Sequence, residues 1–301
     1  MSSEVLVAGR KLKITNLDKL FWPDDGYTKK DLIKYYTEIA PYIIPHLINR
    51  HLVFTRYPNG IEGKNFYQKN APSHLPEWIK TYPWYSEDSE RIINFILVEE
   101  TATLLWLANQ ACLEIHPWLS STQSIDYPDF LVIDLDPSEG STYEEVKQIA
   151  LVAKELLDKL NLNSYLKTSG SQGLHIYVPV FPEYTYSEIR ILGEQLARII
   201  CNVLPDIATI ERTVAKRGRK VYVDYMQNVQ GKTLSCVYSV RPLPGAPVST
   251  PLRWEEIHDY TPKDFNIKNI LSRIIEQGDL FHEVLVNKQS LEEAKARLGM
   301  I

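Results

Sequence analysis

With 301 residues, the chain is long enough to bury a substantial core and to hold one large domain or two lobes. Hydrophobic residues at 44% and charged residues at 24% suit a globular protein, and a net charge of −5 excludes binding nucleic acid by bulk electrostatics while leaving room for local basic grooves. No early apolar segment resembles a signal peptide and no apolar run is long enough to span a bilayer, so an intracellular protein without membrane association is expected; Cys112, Cys201 and Cys236, odd in number and set among apolar residues, read as reduced core thiols and exclude a disulfide framework or zinc cluster.

Taken in order, residues 5–14 alternate about Gly9-Arg10 and predict a short hairpin. Thr28-Lys29-Lys30-Asp31 predicts a capping box that opens a helix, with Leu32, Tyr35, Tyr36 and Ile39 as its buried stripe. Pro41 and Pro45 punctuate a short helical turn, and Leu52-Val53-Phe54-Thr55 predicts a strand that delivers Arg56. Phe66 and Tyr67 are adjacent within a polar segment. In an extended chain they cannot both enter one core face, so at least one ring is exposed beside Lys64 and Lys69. That ring is either a platform for a nucleobase or the pin of a surface hairpin. Residues 91–98 read as a strand, 101–110 as a buried helix and 113–116 as a strand ending in His116, a core histidine.

The chain is organised around Phe130-Leu131-Val132-Ile133-Asp134-Leu135-Asp136-Pro137, an apolar run that ends in two acids and a proline. It predicts a buried strand with Asp134 and Asp136 on one face, because residues two apart point the same way. A divalent metal with oxygen ligands is the simplest partner for two such carboxylates, and two solvated acids at a strand end are the alternative. Ser141, with Glu144 three residues on, predicts the cap of a helix whose apolar face carries Val146, Ile149, Ala150, Ala153, Leu157 and Leu160.

The next strand, Tyr165-Leu166-Lys167, leads into Thr168-Ser169-Gly170-Ser171-Gln172-Gly173-Leu174-His175-Ile176-Tyr177-Val178. Two glycines and two serines at a sharp turn can aim backbone N–H groups and hydroxyls at an anion, or form an ordinary hairpin. The loop is neither a Walker A nor a dinucleotide fingerprint, since it lacks the lysine-serine ending and opens a strand. A helix over residues 187–203 follows. The densest basic cluster comes next, Arg212 and Lys216-Arg217-Gly218-Arg219-Lys220. A looser set lies at Arg10, Lys11, Lys13, Lys19, Lys29 and Lys30, and either cluster is a phosphate contact or a solvated face.

Asp224 sits in the predicted strand 221–225, where a buried carboxylate requires a metal, a basic partner or water, so it is a candidate to join Asp134 and Asp136. Gln227-Asn228 leads through a turn at Gly231 to the proline-rich run 239–247, read as a rigid ordered loop, and helices are predicted over 264–277 and 291–298.

The acid pair on one strand, the Ser-Gly-rich loop with its histidine and the third acid on a later strand together resemble the polymerase domain of bacterial ligase D, in the archaeo-eukaryotic primase superfamily that serves non-homologous end joining. The resemblance runs from about Lys13 to Trp254. It implies an α/β (α+β) catalytic fold, two packed lobes around mixed or antiparallel sheets, forming a single domain over residues 1–301. Within it, about 1–125 would form an N-terminal lobe with the 5′-phosphate and template contacts, about 126–260 the metal and nucleotide core, and 261–301 the C-terminal helices.

It implies that Asp134, Asp136 and Asp224 hold two Mn²⁺ or Mg²⁺ ions for nucleotidyl transfer. Ser169, Gly170 and His175 of the Ser-Gly-x-x-Gly-x-His loop, with Arg241, Arg56 and Gln227, would bind the incoming NTP or dNTP, ribonucleotides preferred. Lys19 and Lys29 match the pair that grips a downstream 5′-phosphate, and Phe66 and Tyr67 an aromatic pair that stacks on template, commonly two phenylalanines. Lys216, Arg217, Arg219 and Lys220 match a mobile loop that arranges DNA ends. Gln172 stands where a basic residue is frequent, which removes one phosphate contact.

The expected function is gap filling and end extension in double-strand break repair, in the bacterial cytoplasm at the nucleoid. Its partners would be DNA with gaps, overhangs or recessed 5′-phosphorylated ends, together with nucleoside triphosphates. From Met1 to Ile301 the sequence leaves no room for ligase or nuclease modules, so it is either a stand-alone protein needing a separate DNA ligase and Ku, or an excised domain. The alternatives are a primase or excision-repair gap filler of the same superfamily, a non-catalytic module that binds DNA ends, and a metal-dependent nuclease.

Overall fold

Ala8 and Gly9 both take positive φ (48° and 79°), as a tight two-residue turn requires, and so join β1 (Ser2–Val7) to β2 (Arg10–Thr15) in antiparallel register. In this computed structural model, residues 2–87 and 89–300 are described; Met1 and Ile301, the ends of the expected domain, lie outside them, as does Asp88. The chain divides into two compact units. One comprises Met1–Trp118, Thr233–Ser249 and Phe265–Gly278, and the other Leu119–Lys232, Thr250–Asp264 and Asp279–Ile301.

In the first unit, β3 (Leu20–Trp22) pairs with β4 (Tyr27–Thr28) and leads into α1 (Lys29–Ile43). The predicted capping box is present, with the Asp31 carboxylate accepting from the Thr28 N–H at 2.9 Å, and Leu32, Tyr35, Tyr36 and Ile39 are buried. Pro41 lies inside α1 and does not end it: burial of Ile39, Ala40 and Ile43 on either side outweighs one missing N–H in the last turn. A sheet follows in the order β6 (Phe66–Gln68), β5 (Leu52–Arg56), β9 (Cys112–Pro117), all antiparallel, with the hairpin of β7 (Thr81–Ser86) and β8 (Arg91–Ile96) and the buried helix α2 (Thr101–Asn109). The proline-rich run is stitched into this unit. Ser239 Oγ accepts from the Ile115 N–H at 2.9 Å, and the Tyr238 N–H donates to the Ser249 carbonyl at 2.7 Å.

The second unit is built on β10 (Phe130–Pro137). Around it lie α3 (Tyr143–Lys159), β11 (Tyr165–Thr168), β12 (Leu174–Pro179), α4 (Tyr186–Val203), β13 (Ala208–Thr209), β14 (Val221–Asp224) and β15 (Pro251–Leu252). The strands run β13-β14-β10-β12-β11-β15, antiparallel between neighbours except for the β13–β14 pair, so the run β10-α3-β11 returns the chain parallel to β10, with the antiparallel β12 lying between the two strands. Both α3 and α4 contact β10, and their apolar stripes (Val146, Ile149, Ala150, Ala153 and Leu157; Ile189, Leu192, Leu196 and Ile200) are buried.

Two predicted helix starts shift. The cap of α3 is Thr142 with Glu145, whose carboxylate accepts from the Thr142 N–H at 2.6 Å, because Ser141 is used otherwise: its hydroxyl donates to the Ser138 carbonyl at 2.7 Å. The helix expected from Asp264 starts at Ile270, since Asn266 and Asn269 hold the preceding backbone in side-chain turns, and the terminal helix is confined to Glu292–Arg297. Among the described residues no helix is long and apolar enough to cross a membrane.

Candidate active site

Strand register gathers the acids. Asp134 and Asp136 alternate with Leu135 on β10, and Asp134 is the direct partner of Asp224 on β14 and of His175 on β12, so Asp134, Asp224 and His175 project from one sheet face with Asp136. Asp134 is buried at 7% exposure, Asp224 is half-buried and Asp136 is exposed. The Gln227 amide lies between two of the carboxylates, donating to Asp224 Oδ2 at 3.0 Å and to Asp134 Oδ2 at 3.4 Å. His175 Nε2 is 3.3 Å from Asp134 Oδ1.

Asp224 also accepts from the Tyr222 hydroxyl at 3.1 Å and from the Met226 N–H at 2.8 Å. Burial, and then the Asp224 carboxylate, push the Tyr222 phenol well above its ordinary pKa and keep it a donor.

A short turn after β14 holds Gln227 in place. Asn228, fully buried, accepts from the Val132 N–H at 2.8 Å and donates to the Val132 carbonyl at 2.7 Å. Its amide thus extends the β10 ladder beyond Asp134, where β14 has ended. On the other side, the Ser-Gly loop closes tightly. A Cβ at Gly173 would stand 2.1 Å from the Leu135 carbonyl oxygen, so only glycine fits there, and Gly170 takes φ 73°. The amides of Ser171 and Gly173 do not point outward as expected for an anion nest: both donate to Ser169 Oγ at 3.1 Å. These two amides are thus spent within the loop, and the two bonds that Ser169 Oγ accepts strengthen its hydroxyl as a donor.

Among the described residues, no group of three or more His, Cys, Asp or Glu side chains is already drawn together as a metal cage. The donor set nonetheless fits a hard divalent ion. Three carboxylates share one face at adjacent register positions, and a neutral amide donor stands between two of them where a cation would offset their repulsion.

Apart from the basic loop, the other expected site residues lie in the first unit. The Lys29 N–H donates to the Lys19 carbonyl at 2.8 Å. Lys29 is 4% exposed, and burial, followed by the charge of Lys19, lowers its pKa to about 8. Lys19 Nζ donates to Asn59 Oδ1 at 2.8 Å. Phe66 and Tyr67 are both exposed, at 47% and 61%, with Lys64 and Lys69 over their respective rings. Arg56 is the register partner of Phe66 and donates to the Gln110 carbonyl at 2.7 Å. Arg241 pairs with the buried Glu114 at 3.3 Å, and Glu114 also accepts from Tyr57 at 3.1 Å.

In the basic loop, Arg217 stacks 3.9 Å over the Tyr222 ring and donates to the Glu211 carbonyl, Arg219 reaches Glu145 and Lys220 donates to the Pro205 carbonyl. Lys216 closes a single helical turn, Val214–Lys216.

Sequence reading passed over Lys167, Asn228 and Glu114 as site residues. The available signal was polarity out of place, a lysine and a glutamate within predicted strands, but their partners lie on other segments of the chain.

A model of the LigD primase-polymerase domain matches residues 28–281. The chain belongs to the LigD primase-polymerase domain family. The bifunctional non-homologous end joining protein LigD of Bacillus subtilis is 37% identical over 93% of this chain, which covers 45% of that protein. The multifunctional non-homologous end joining protein LigD of Mycolicibacterium smegmatis is 32% identical over 90% of this chain and 35% of its own length. The domain thus spans less than half of these curated relatives. The polymerase domain from Mycobacterium tuberculosis ligase D in complex with DNA superposes with a TM-score of 0.85 at 27% identity, covering 92% of this chain and 99% of that one. The fold is accordingly that of the primase-polymerase family, and template-dependent nucleotidyl transfer is its reaction class.

Proposed function

We propose that this primase-polymerase domain fills gaps and extends primer ends opposite template at double-strand breaks joined end to end. The observation that carries the proposal is the register that sets Asp134 between Asp224 and His175, with Asp136 on the same face and the Ser-Gly loop at its rim. Asp134, Asp136 and Asp224 would hold two divalent ions, Mn²⁺ or Mg²⁺. Such ions, when bound, lower the pKa of the primer 3′-hydroxyl and offset charge on the leaving pyrophosphate.

The chain's own groups do the rest. Ser169 and His175 donate hydrogen bonds to the triphosphate, which steadies charge as the 3′-oxygen bonds the α-phosphorus and the bond to pyrophosphate breaks. Gln227 and Tyr222 hold the carboxylates in place. In the first unit, Arg241, kept in line by Glu114, and Arg56 are further nucleotide contacts. Lys19 and Lys29 take the downstream 5′-phosphate, beside the stacking rings of Phe66 and Tyr67, so binding concentrates at one dianion and overcomes the protein's net negative charge. Ku and a separate ligase activity complete the end-joining reaction.

Extension of a labelled primer across a short gap tests this, with and without a 5′-phosphate on the downstream strand, offering ribo- or deoxyribonucleotides with Mn²⁺ or Mg²⁺. Wild type extends, Asp134→Ala binds the DNA without extending it, and the phosphate helps only while Lys19 is present. Phosphate-dependent binding without extension by wild type would make the domain a recognition module, and shortening of the primer without nucleotides would make it a nuclease.

A further inference from the structure

Lys167 is a lysine on β11 with 0% exposure. Its direct partner across the ladder is His175 on β12, and its Nζ lies 2.9 Å from His175 Nδ1 and 5.7 Å from the centre of the Tyr177 ring. A buried ammonium is costly unless hydrogen bonds and ring faces offset its lost hydration, so this contact is held by the whole strand pair. An ammonium only donates. Nδ1 must then accept, and the ring hydrogen must sit on Nε2, the nitrogen 3.3 Å from Asp134 Oδ1.

We infer that Lys167 is a positioning residue that fixes His175 as its Nε2–H tautomer, so that the imidazole presents an N–H, and not a lone pair, on the acid face of the sheet. In the resting protein that N–H faces Asp134; with substrate present it turns to a phosphate oxygen of the nucleotide, a second half of the inference that rests on the proposed polymerase function. A lone pair aimed at phosphate would repel it, so the lysine decides whether the histidine attracts substrate at all.

The tautomer is read directly from nitrogen-15 chemical shifts of labelled histidine in the intact protein, with His175→Asn assigning the signal. At neutral pH, wild-type His175 shows an unprotonated Nδ1 and a protonated Nε2. Lys167→Met removes that preference, and Lys167→Arg, which can still donate, keeps it. In gap filling, Lys167→Met lowers kcat/KM for the nucleotide by about 10–100-fold, mostly through KM, as removal of an outer orienting partner does. A wild-type spectrum with hydrogen on Nδ1 or on both nitrogens overturns the inference without need of any variant, and so does an unchanged tautomer in Lys167→Met. If the tautomer is as stated but no nucleotide is incorporated, the polymerase reading falls and the Lys167–His175 lock stands.

Discussion

Asn228 bonds both the N–H and the C=O of Val132, at 2.8 and 2.7 Å, and in doing so serves as a one-residue strand alongside β10. Its Nδ2 donates also to the Tyr225 carbonyl at 2.9 Å, so one side chain fastens the turn that carries Gln227 to the strand that carries Asp134. Replacing it with alanine strands two buried backbone groups, each worth about 1–3 kcal/mol. Urea unfolding of Asn228→Ala should show that loss, together with weaker nucleotide incorporation. A stability equal to wild type would mean that water replaces the amide.

The Gln227 amide stands between Asp134 and Asp224 as a neutral stand-in for a cation. Gln227→Ala should therefore destabilise the ion-free protein more than the ion-loaded one, so the rise in melting temperature on adding Mn²⁺ after chelator treatment should exceed that of wild type. At a hundredfold excess over Kd, binding to the native state alone contributes about 2.7 kcal/mol. Asp134→Asn should lose most of that rise. Equal shifts in all three proteins would place the ion elsewhere.

Lys29 sets a pH dependence. Burial lowers its pKa from 10.5 to about 8, so between these values the folded chain has released a proton that the unfolded chain retains. Stability from this group therefore rises as pH climbs through that window, and below it the cost of the buried charge is fully present. Binding of a 5′-phosphate at Lys29, as proposed above, would need the charged lysine and would run the other way. The preference for phosphorylated over unphosphorylated DNA ends should fall as pH rises from about 7 to about 10, with proton uptake on binding at the upper end. Lys29→Met should abolish both the preference and its pH dependence, as a titration of end affinity would show.

The basic loop touches the acids through one ring. Arg217 lies over Tyr222, whose hydroxyl donates to Asp224. Tyr222→Phe keeps the stacking surface and loses a bond worth about 1 kcal/mol, so incorporation should slow by about fivefold with loop contacts intact. Exchanging Lys216, Arg217, Arg219 and Lys220 together for alanine should impair joining of two ends more than filling of a single gap. Equal loss in the two assays would show that the loop serves only local chemistry.

The elements that carry the candidate site were legible in the sequence because each is announced by neighbours along the chain. An apolar run closing on Asp134-Leu135-Asp136-Pro137 has little choice but to be a buried strand with two acids on one face. The Thr28 capping box and the stripes of α1 and α3 follow from spacing alone. Even there the local signal was ambiguous at helix starts: Ser141 and Thr142 are equally good caps by type, and the choice fell to Thr142 because the Ser138 carbonyl takes the other hydroxyl.

Tertiary structure decided everything that depends on which strand lies beside which. Nothing within residues 165–168 says that Lys167 meets His175, and nothing around Asn228 says that it completes Val132, because both relations come from register between segments apart in sequence. The inward turn of the Ser171 and Gly173 amides onto Ser169 likewise depends on the close approach of Gly173 to Leu135. The sequence by itself determined which side chains are available for the reaction and on which face of its own element each one lies. Only the folded sheet decided which of them stand together, since hydrogen-bond register is a long-range choice, settled by the burial of whole faces and not by any residue's own preference.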